Sequence, residues 1–313
     1  MDKTLLNLVS AERLRADLFH FCRDPFSFRT VSYKRPWHEK NSLEEFDEFL
    51  ADEIRRYTPN VELIPNKVQA FRCNDKKPLH HWYDGPHADD PWYDANKIVV
   101  TLPGSEAPED IIQLVSHKDS MSWINSPGAH DNAVGTACNL ELIRVLSQLP
   151  HKRTIRVLFC NEEHCPWHSL TFAKAAFAHG DRILAVFNQD SICGKSEAAL
   201  AAGLKTNVSA YSTPEGKVLA DFIVAEANTY ELPLLATTDF KERVNDDDGS
   251  FIKAGYPRTV MNIGSQPYGD DQYHLPGDVP ERVDFVNLSL VAKLLMACVL
   301  DIDAVGEGIF AQG

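Results

Sequence analysis

The chain has 313 residues, with 31 Lys and Arg against 45 Asp and Glu, and therefore a formal net charge of −14. Apolar residues make up 44% of it and charged residues 24%, which is typical of a globular protein and excludes a disordered or fibrous one. The acidic balance argues against nucleic acid and anionic membrane surfaces as partners, because phosphate binding needs a basic face. We also find no apolar run that approaches the roughly 18–20 residues of a membrane span.

The N-terminal segment and the cysteines favour a cytoplasmic protein. Charges between Glu12 and Asp17 interrupt the apolar stretch that a signal peptide needs. The seven cysteines are an odd number and include no C-x-x-C pair, so we expect no disulfide framework. The reducing cytosol is the simplest compartment for such a chain.

Two amphipathic helices open the chain, and a long polar segment follows them. Apolar residues at helical spacing predict helices over 10–22 and 42–57, and Ser42 with Glu45 resembles a capping box at the second start. Residues 75–96 combine His, Asp and aromatic side chains with three prolines, which predicts a long ordered loop or hairpin. Loops of this length in compact domains are more often functional than incidental. We interpret its histidines as a loop wall rather than as an extra metal site.

From residue 97 onward, apolar strands alternate with amphipathic helices. The strands are predicted over 97–102, 111–116, 154–160, 182–188 and 258–263, and the helices over 131–149, 169–179, 214–229 and 284–300. This alternation predicts an α/β fold of three layers, with a mostly parallel mixed β-sheet flanked by helices. We expect one domain over 1–313, in which 1–96 supplies N-terminal helices and the long loop and 97–313 the motif-bearing core.

Residues that can bind metal follow three of these strands. His117 ends the second strand, the pair Glu162 and Glu163 follows the third, and Asp190 follows the fourth. Sites in open α/β sheets form at the carboxyl ends of the strands, so we expect these side chains to lie close together.

The donor set matches a site for two metals. Imidazole and carboxylate are the usual ligands of catalytic zinc, and two neighbouring metals need a shared carboxylate. The chain supplies two imidazoles and three carboxylates: His117, Asp131, Glu163, Asp190 and His274. Glu162 is left over beside a ligand, where a general base should stand.

Taken in order, the motifs of this chain resemble those of the M28-type dizinc aminopeptidases, a family related in fold to glutaminyl cyclases. The matching pieces are SHKDS, SPGAHDNAVG, the NEE after a strand, the Asp after AVFNQ, the stretch DDDGSFIKAGYP, and YHLPGD. Each piece is weak alone, but six in the family's order make a strong signal from about Lys97 onward. The resemblance implies a zinc-peptidase fold of the phosphorylase/hydrolase-like type.

The resemblance also implies roles for individual residues. It makes His117 and Asp190 the terminal ligands of one zinc, Glu163 and His274 those of the other, and Asp131 the bridge. Glu162 would be the general base that takes a proton from metal-bound water and passes it to the leaving amine. Asp119 would orient His117, and the Asp131–Asn132 peptide would be cis. Two zinc ions are expected, with cobalt or manganese as possible substitutes.

Two departures from the family pattern, and one further histidine, carry expectations of their own. Both glycines of the family's E-E-x-G-L-x-G-S are missing after Glu163, so we expect a different loop path with His164 or Trp167 lining the pocket. Asp248 stands where the family commonly has His, which would change the charge of the wall that faces the substrate. We expect His130 to be a surface residue.

These observations favour a zinc-dependent exopeptidase, and within that class an aminopeptidase acting on peptides. A carboxypeptidase or dipeptidase would need a cationic clamp for the substrate carboxylate, for which Arg243 and Arg258 are candidates. A glutaminyl cyclase with a single zinc is a third reading, but the intact His117 and Asp190 favour two metals. The complete ligand set argues against a scaffold that has lost its site.

Overall fold

A mixed sheet forms the middle layer of the fold in the computed structural model, which describes residues 2–311. The strands are β1 (Val61–Ala70), β2 (Arg72–Cys73), β3 (Tyr83–Asp84), β4 (Tyr93–Leu102), β5 (Ala107–His117), β6 (Arg153–Cys160), β7 (His164–Cys165), β8 (Arg182–Gln189), β9 (Thr206–Tyr211), β10 (Leu235–Phe240) and β11 (Thr259–Ile263). The helices are α1 (Ala11–Phe21), α2 (Ser42–Arg55), α3 (Val134–Leu146), α4 (His168–His179), α5 (Glu197–Ala201), α6 (Pro214–Thr229), α7 (Asp246–Ala254) and α8 (Phe285–Val305).

The order of the strands places the chemistry at one edge of the sheet. Among the described residues, nine strands follow the order β10-β9-β11-β8-β5-β6-β4-β1-β7, and β2 pairs with β3 separately. The central pairs β6–β5, β5–β8 and β8–β11 are parallel, whereas β4, β1 and β7 add antiparallel pairs at one side. The carboxyl ends of β5, β6 and β8 therefore meet, and the predicted mixed, mostly parallel sheet is confirmed.

Helices cover both faces of this sheet. The larger apolar cluster packs α1, α2, α3, α6 and α8 against one face. A smaller cluster, which includes Ala173 of α4 and Phe251 of α7, covers the other face. This is the three-layer arrangement that alternating strands and helices predict. The expectation of one domain stays a prediction.

Helix α8 contradicts the expectation that no apolar run approaches the length of a membrane span. By length and composition alone, the stretch Phe285–Ala311 is a helix long and apolar enough to cross a membrane. However, 78% of its apolar window is buried inside the fold. The helix is apolar on nearly all sides because neighbouring helices and the sheet surround it, as is usual for a buried helix.

Other local predictions differ from the structure at element ends. Asn41, not Ser42, caps α2, and its capping box is completed by Glu44 rather than Glu45. The hydroxyl of Ser42 instead donates to the carbonyl of Thr30, at 2.9 Å. Strands β1, β9 and β10 were not predicted; β1 contains Pro65, and β1 and β10 are largely half-buried or exposed, so neither shows a continuous apolar run.

Candidate active site

The ends of β5, β6 and β8 bring the predicted ligands together around Asp131. The Nε2 atom of His117 lies 3.0 Å from Oδ1 of Asp131 and 3.6 Å from Oδ1 of Asp190. On the other side of Asp131, Nε2 of His274 lies 3.1 Å from Oδ2 of Asp131 and 3.4 Å from Oε1 of Glu163. The two oxygens of Asp131 therefore face different histidines, as a bridging carboxylate would require.

The geometry of these atoms fits metal ions. Ligand atoms that each lie about 2.0–2.2 Å from one tetrahedral zinc are about 3.3–3.6 Å from each other. Separations of 3.0–3.6 Å between the nitrogen and oxygen atoms are close to that range. The Nε2 atom of His274 is buried and has no hydrogen bond to any described residue, so it is free to coordinate.

Two overlapping groups of side chains could each hold an ion. His117, Asp131 and Glu163 form one group, and His117, Glu162 and Asp190 form the other. All five predicted ligands are buried, and Glu162 is 9% exposed. The structure thus brings every predicted site residue to one place, while the role of each as ligand or base stays a prediction.

Asp119 lies behind the ligands and is held by four donors. It accepts hydrogen bonds from Nδ1 of His117 at 3.2 Å and from Nδ1 of His164 at 2.6 Å, and from the backbone N–H groups of Glu162 and Glu163 at 3.1 and 2.9 Å. Burial alone would raise the pKa of Asp119, but the two imidazoles hold it well below its usual range. An ionised Asp119 keeps the proton of His117 on Nδ1 and leaves Nε2 for a metal.

Of the two residues expected to line the pocket, Trp167 lines a cavity beside Glu162 and His164 does not. It is fully buried, and its Nε2 accepts a hydrogen bond from the backbone N–H of Val31 at 3.2 Å. Its Nδ1–H therefore points to Asp119. Sequence reasoning missed this contact, because it joins the N-terminal segment to a loop more than 130 residues away.

The backbone around Asp131 is fixed by a second carboxylate. Asp278 accepts hydrogen bonds from the N–H groups of His130 at 2.8 Å and Asp131 at 3.1 Å. The Asp131–Asn132 peptide is cis, which confirms that expectation.

His130 is fully buried beside Asp270 at 2.7 Å, so the prediction of a surface residue was wrong. Asp278 is the last residue of the YHLPGD motif, so its place near the site could have been inferred from the sequence.

The long loop supplies the partner of the second histidine. Nδ1 of His274 donates to the backbone carbonyl of His80 at 2.7 Å, and the side chain of His80 bonds the carbonyl of Tyr273 at 2.6 Å. The interpretation of 75–96 as a wall beside the site agrees with these contacts.

Glu162 is buried next to the N-terminus of α7. Its Oε2 accepts a hydrogen bond from the backbone N–H of Asp247 at 3.1 Å. Burial and the nearby Asp247, Asp246 and Asp190 raise the pKa of Glu162 well above its usual value. A carboxyl group whose pKa is raised takes up a proton more readily, which suits a group that exchanges a proton during a reaction.

The pKa values of the other ionisable groups at the site also reflect the crowding of negative charge. Burial raises the pKa of Glu163 to about 7 and raises that of Asp190. Burial would lower the pKa of His274, but Glu163 and Asp131 raise it to about 10. Protons partly neutralise this cluster, and bound metal cations would do so more completely.

A cavity of about 100 Å³ opens beside this cluster. Glu162, Asp190 and Asp246 line it together with Ser191, Met261, Ile263, Tyr268 and Tyr273. Asp246 lines this cavity and Asp248 does not, although each carboxylate lies 2.8 Å from Nζ of Lys241. The expectation for Asp248 was wrong because Asp248 is buried in the fold, where only its neighbour Asp246 reaches the cavity.

The sequence of this chain is similar to those of known peptidases. The sequence model described as peptidase family M28 matches residues 97–299. A leucine aminopeptidase 1 of Sclerotinia sclerotiorum is 26% identical over 318 residues, which cover 96% of this chain and 73% of that protein.

Solved structures share the fold at low identity. An aminopeptidase of Legionella pneumophila has a TM-score of 0.73 at 14% identity and covers 96% of this chain and 74% of its own. A zinc aminopeptidase of Bacillus subtilis has a TM-score of 0.69 at 13% identity, with coverages of 94% and 95%. A glutaminyl cyclase of Porphyromonas gingivalis has a TM-score of 0.70 at 15% identity, with coverages of 94% and 99%.

Proposed function

Because this chain belongs to peptidase family M28, we propose that it is a zinc-dependent aminopeptidase that removes N-terminal residues from peptides. The observation that carries the proposal is the position of Asp131, whose two oxygens lie 3.0 and 3.1 Å from Nε2 of His117 and of His274. The name of the Sclerotinia relative supports the aminopeptidase activity, and the Bacillus protein supports zinc.

In this proposal His117 and Asp190 would hold one metal, Glu163 and His274 would hold the other, and Asp131 would be shared between the two. Metals at such a site supply Lewis acidity, which polarises the scissile carbonyl and activates water. Asp119 and the carbonyl of His80 orient the two histidines through their Nδ1 atoms.

Glu162 moves the proton in this mechanism. Its carboxylate is fixed by the N–H of Asp247, and burial with the neighbouring acids raises its pKa above the ordinary value, which favours uptake of a proton from water and its return to the leaving nitrogen. Asp246, which also contacts Lys241, lines the cavity next to Glu162, where its oxygens can accept hydrogen bonds from the protonated amine of a free N-terminus.

One of the two candidate cationic clamps of a carboxypeptidase is not available to the cavity. One candidate clamp, Arg258, donates to the carbonyl of Leu184 at 3.1 Å and lies 3.4 Å from Glu307. It is therefore engaged away from the cavity, and its charge is partly neutralised.

The test is metal content together with a panel of matched peptides. We expect about two zinc ions per chain and hydrolysis of free Leu-Ala-Ala but not of its N-acetylated form. Release of the C-terminal residue from the blocked peptide would indicate a carboxypeptidase. Ammonia release from Gln-Ala-Ala without peptide cleavage would indicate a cyclase. Treatment with a chelator is the control that separates this activity from a contaminating serine peptidase.

A further inference from the structure

Strand β10 forms one edge of the main sheet, and its outer side is open. It pairs with β9 on its inner side, and among residues 2–311 no strand pairs with its other side. The backbone N–H groups of Leu235 and Lys241 donate to carbonyls on the β9 side, at 2.8 Å each. Because backbone groups alternate in direction along a strand, the residues between them with even numbers direct their backbone groups outward. These residues are Ala236, Thr238 and Phe240.

The two edges of this sheet are protected to different degrees. At the other edge, β7 has only two residues and is followed by Pro166, and its neighbour β1 contains Pro65. Strand β10 has six residues and no proline, and Asp239 is its single charged residue. Short strands, prolines and charges are the usual means by which proteins prevent the pairing of sheet edges. The edge at β10 therefore remains able to accept another strand.

This open backbone lies beside an exposed aromatic ring. The side chain of Phe240 is 59% exposed, and its ring lies 5.7 Å from that of Tyr211 on β9, measured between centroids. Ala236 lies four residues earlier, on the same face of the strand, and packs against the larger apolar cluster. A strand that pairs with β10 would therefore gain apolar contact on this face in addition to backbone hydrogen bonds.

The direction of the backbone groups limits how a second copy of the chain can pair with this edge. In an antiparallel pair, each hydrogen-bonded position joins two residues whose backbone groups face each other. A two-fold axis at Thr238 places the two Thr238 residues opposite each other. It also places Ala236 opposite the partner's Phe240, so all the outward-facing residues are used and each ring covers an alanine.

Charge favours the same register. With the axis at Thr238, each Asp239 faces the partner's Thr237, whose hydroxyl can donate to the carboxylate. An axis at Asp239 would set two carboxylates directly against each other, which is destabilising. The edge is thus self-complementary in backbone direction, in apolar contact and in charge.

We infer that two copies of this chain associate through their β10 strands, antiparallel about a two-fold axis at Thr238, so that their sheets become one continuous sheet. Such a contact is closed, because it uses the open β10 edge of both copies. The inference does not depend on the proposed peptidase activity.

The first experiment measures the mass of the full chain by sedimentation velocity. A pair of six-residue strands is smaller than the standard protein interface, so we expect a dimer with a Kd of about 10–100 µM, measured from about 1 to 300 µM. A monomer over the whole range would overturn the inference. Continued growth beyond the dimer would also overturn it, because a closed contact stops at two copies.

The second experiment tests the register by cross-linking in oxidised glutathione. The Cα atoms of two facing, hydrogen-bonded residues lie about 5.5 Å apart, which is within the reach of a disulfide, so Thr238→Cys should give a covalent dimer. Leu235→Cys is the matched control, because Leu235 is 59% exposed on the same strand. Its two copies would lie about 20 Å apart along the paired strands. Equal cross-linking of the two variants would contradict the register.

The third experiment removes the pairing without disturbing β9. Thr238→Pro deletes an N–H group that points away from β9, a position at which edge strands tolerate proline, and should raise the Kd at least about tenfold. Val286→Ser, at a 60% exposed position of α8, is the control and should leave the Kd unchanged. Phe240→Ser, which removes the exposed ring and keeps the backbone, decides the point if circular dichroism shows that the proline variant folds poorly. An unchanged Kd in both β10 variants would overturn the inference.

Discussion

Two adjacent glutamates after β6 have different surroundings. Glu163 lies 3.4 Å from Nε2 of His274, whereas Glu162 accepts a hydrogen bond from the N–H of Asp247 at the start of α7. Both backbone N–H groups donate to Asp119, which fixes the turn that separates their side chains. One glutamate is therefore placed to bind metal, and the other to carry a proton.

Substitution separates these two roles. Glu162→Gln retains the size and hydrogen bonding of the side chain but cannot accept a proton, so kcat on a free peptide should fall at least about a hundredfold. Its zinc content, measured by atomic absorption, should be nearly unchanged. Glu163→Gln is the matched variant and should lose zinc. Near-normal turnover by Glu162→Gln would contradict the assignment of the general base.

Asp17 of α1 illustrates how a single half-buried charge affects stability. Burial raises its pKa to about 6 from an ordinary 3.8, and Glu141 and Glu53 add to the effect while Arg13 and Arg144 oppose it. The unfolded chain ionises first, so the folded state is penalised increasingly as the pH rises from about 4 to 6.

Replacing this charge should therefore stabilise the protein in a pH-dependent way. We expect Asp17→Asn to increase the free energy of unfolding by about 1–2 kcal/mol at pH 7, and by nothing measurable below about pH 4. Urea unfolding at both pH values measures the difference. Asp52→Asn, at an exposed position of α2, should show no such gain. A gain that is independent of pH would contradict the raised pKa.

At the scale of elements, Arg29 in the segment between α1 and α2 links the end of α1 to the chain after β5 and to the chain before Asp131. The side chain of Arg29 is fully buried and donates to the carbonyls of Phe21 at 2.7 Å, Lys118 at 2.9 Å and Pro127 at 2.9 Å. These carbonyls belong to the end of α1, to the turn after β5, and to the segment before Asp131. One guanidinium group thus fastens the two segments that carry His117 and Asp131.

Removing that group should be severely destabilising. Arg29→Ala leaves several buried carbonyls without donors, each at a cost of about 1–3 kcal/mol, so we expect a loss of about 3–5 kcal/mol in the free energy of unfolding. Arg29→Lys should recover only part of it, since an ammonium group cannot reach all these carbonyls in one plane. Urea denaturation is the measurement, with the exposed Arg15→Ala as the control. A loss below about 1 kcal/mol would contradict this role.

At the scale of the whole molecule, the fold concentrates buried acids at one edge of the sheet. Asp119, Asp131, Glu162, Glu163 and Asp190 are all at most 9% exposed. Burial raises the pKa of Glu162, Glu163 and Asp190, so keeping these three ionised without a cation opposes folding. Metal binding should therefore be coupled to stability.

Metal removal tests this coupling. Dialysis against a chelator should lower the Tm by roughly 5–10 °C, and added zinc should restore it in a saturable way, since a ligand at about 100 times its Kd contributes about 2.7 kcal/mol. Calorimetry measures the shift. Glu163→Gln is the control and should respond less. An unchanged Tm after complete zinc removal would contradict the metal site.

Local sequence patterns were sufficient to predict most of the central elements. Helix α6 has the predicted bounds, and β6, β8, β11 and α4 begin or end within one residue of them. Their apolar periodicity is strong because they pack in the core. Strands β1 and β10 escaped prediction because β10 lies at one edge of the sheet and β1 next to the other, where both are partly exposed, so pairing with a neighbour decides their structure.

The sequence by itself determined which residues could form the site, since His117, Glu163 and Asp190 follow strands whose carboxyl ends meet in any parallel sheet. Only the tertiary structure decided which groups surround them. His274 bonds the carbonyl of His80, 194 residues away, and Asp246 rather than Asp248 lines the cavity. Periodicity reports the burial of a residue and the face on which it lies, but contacts between distant segments depend on loop paths and competing partners, which local patterns do not contain.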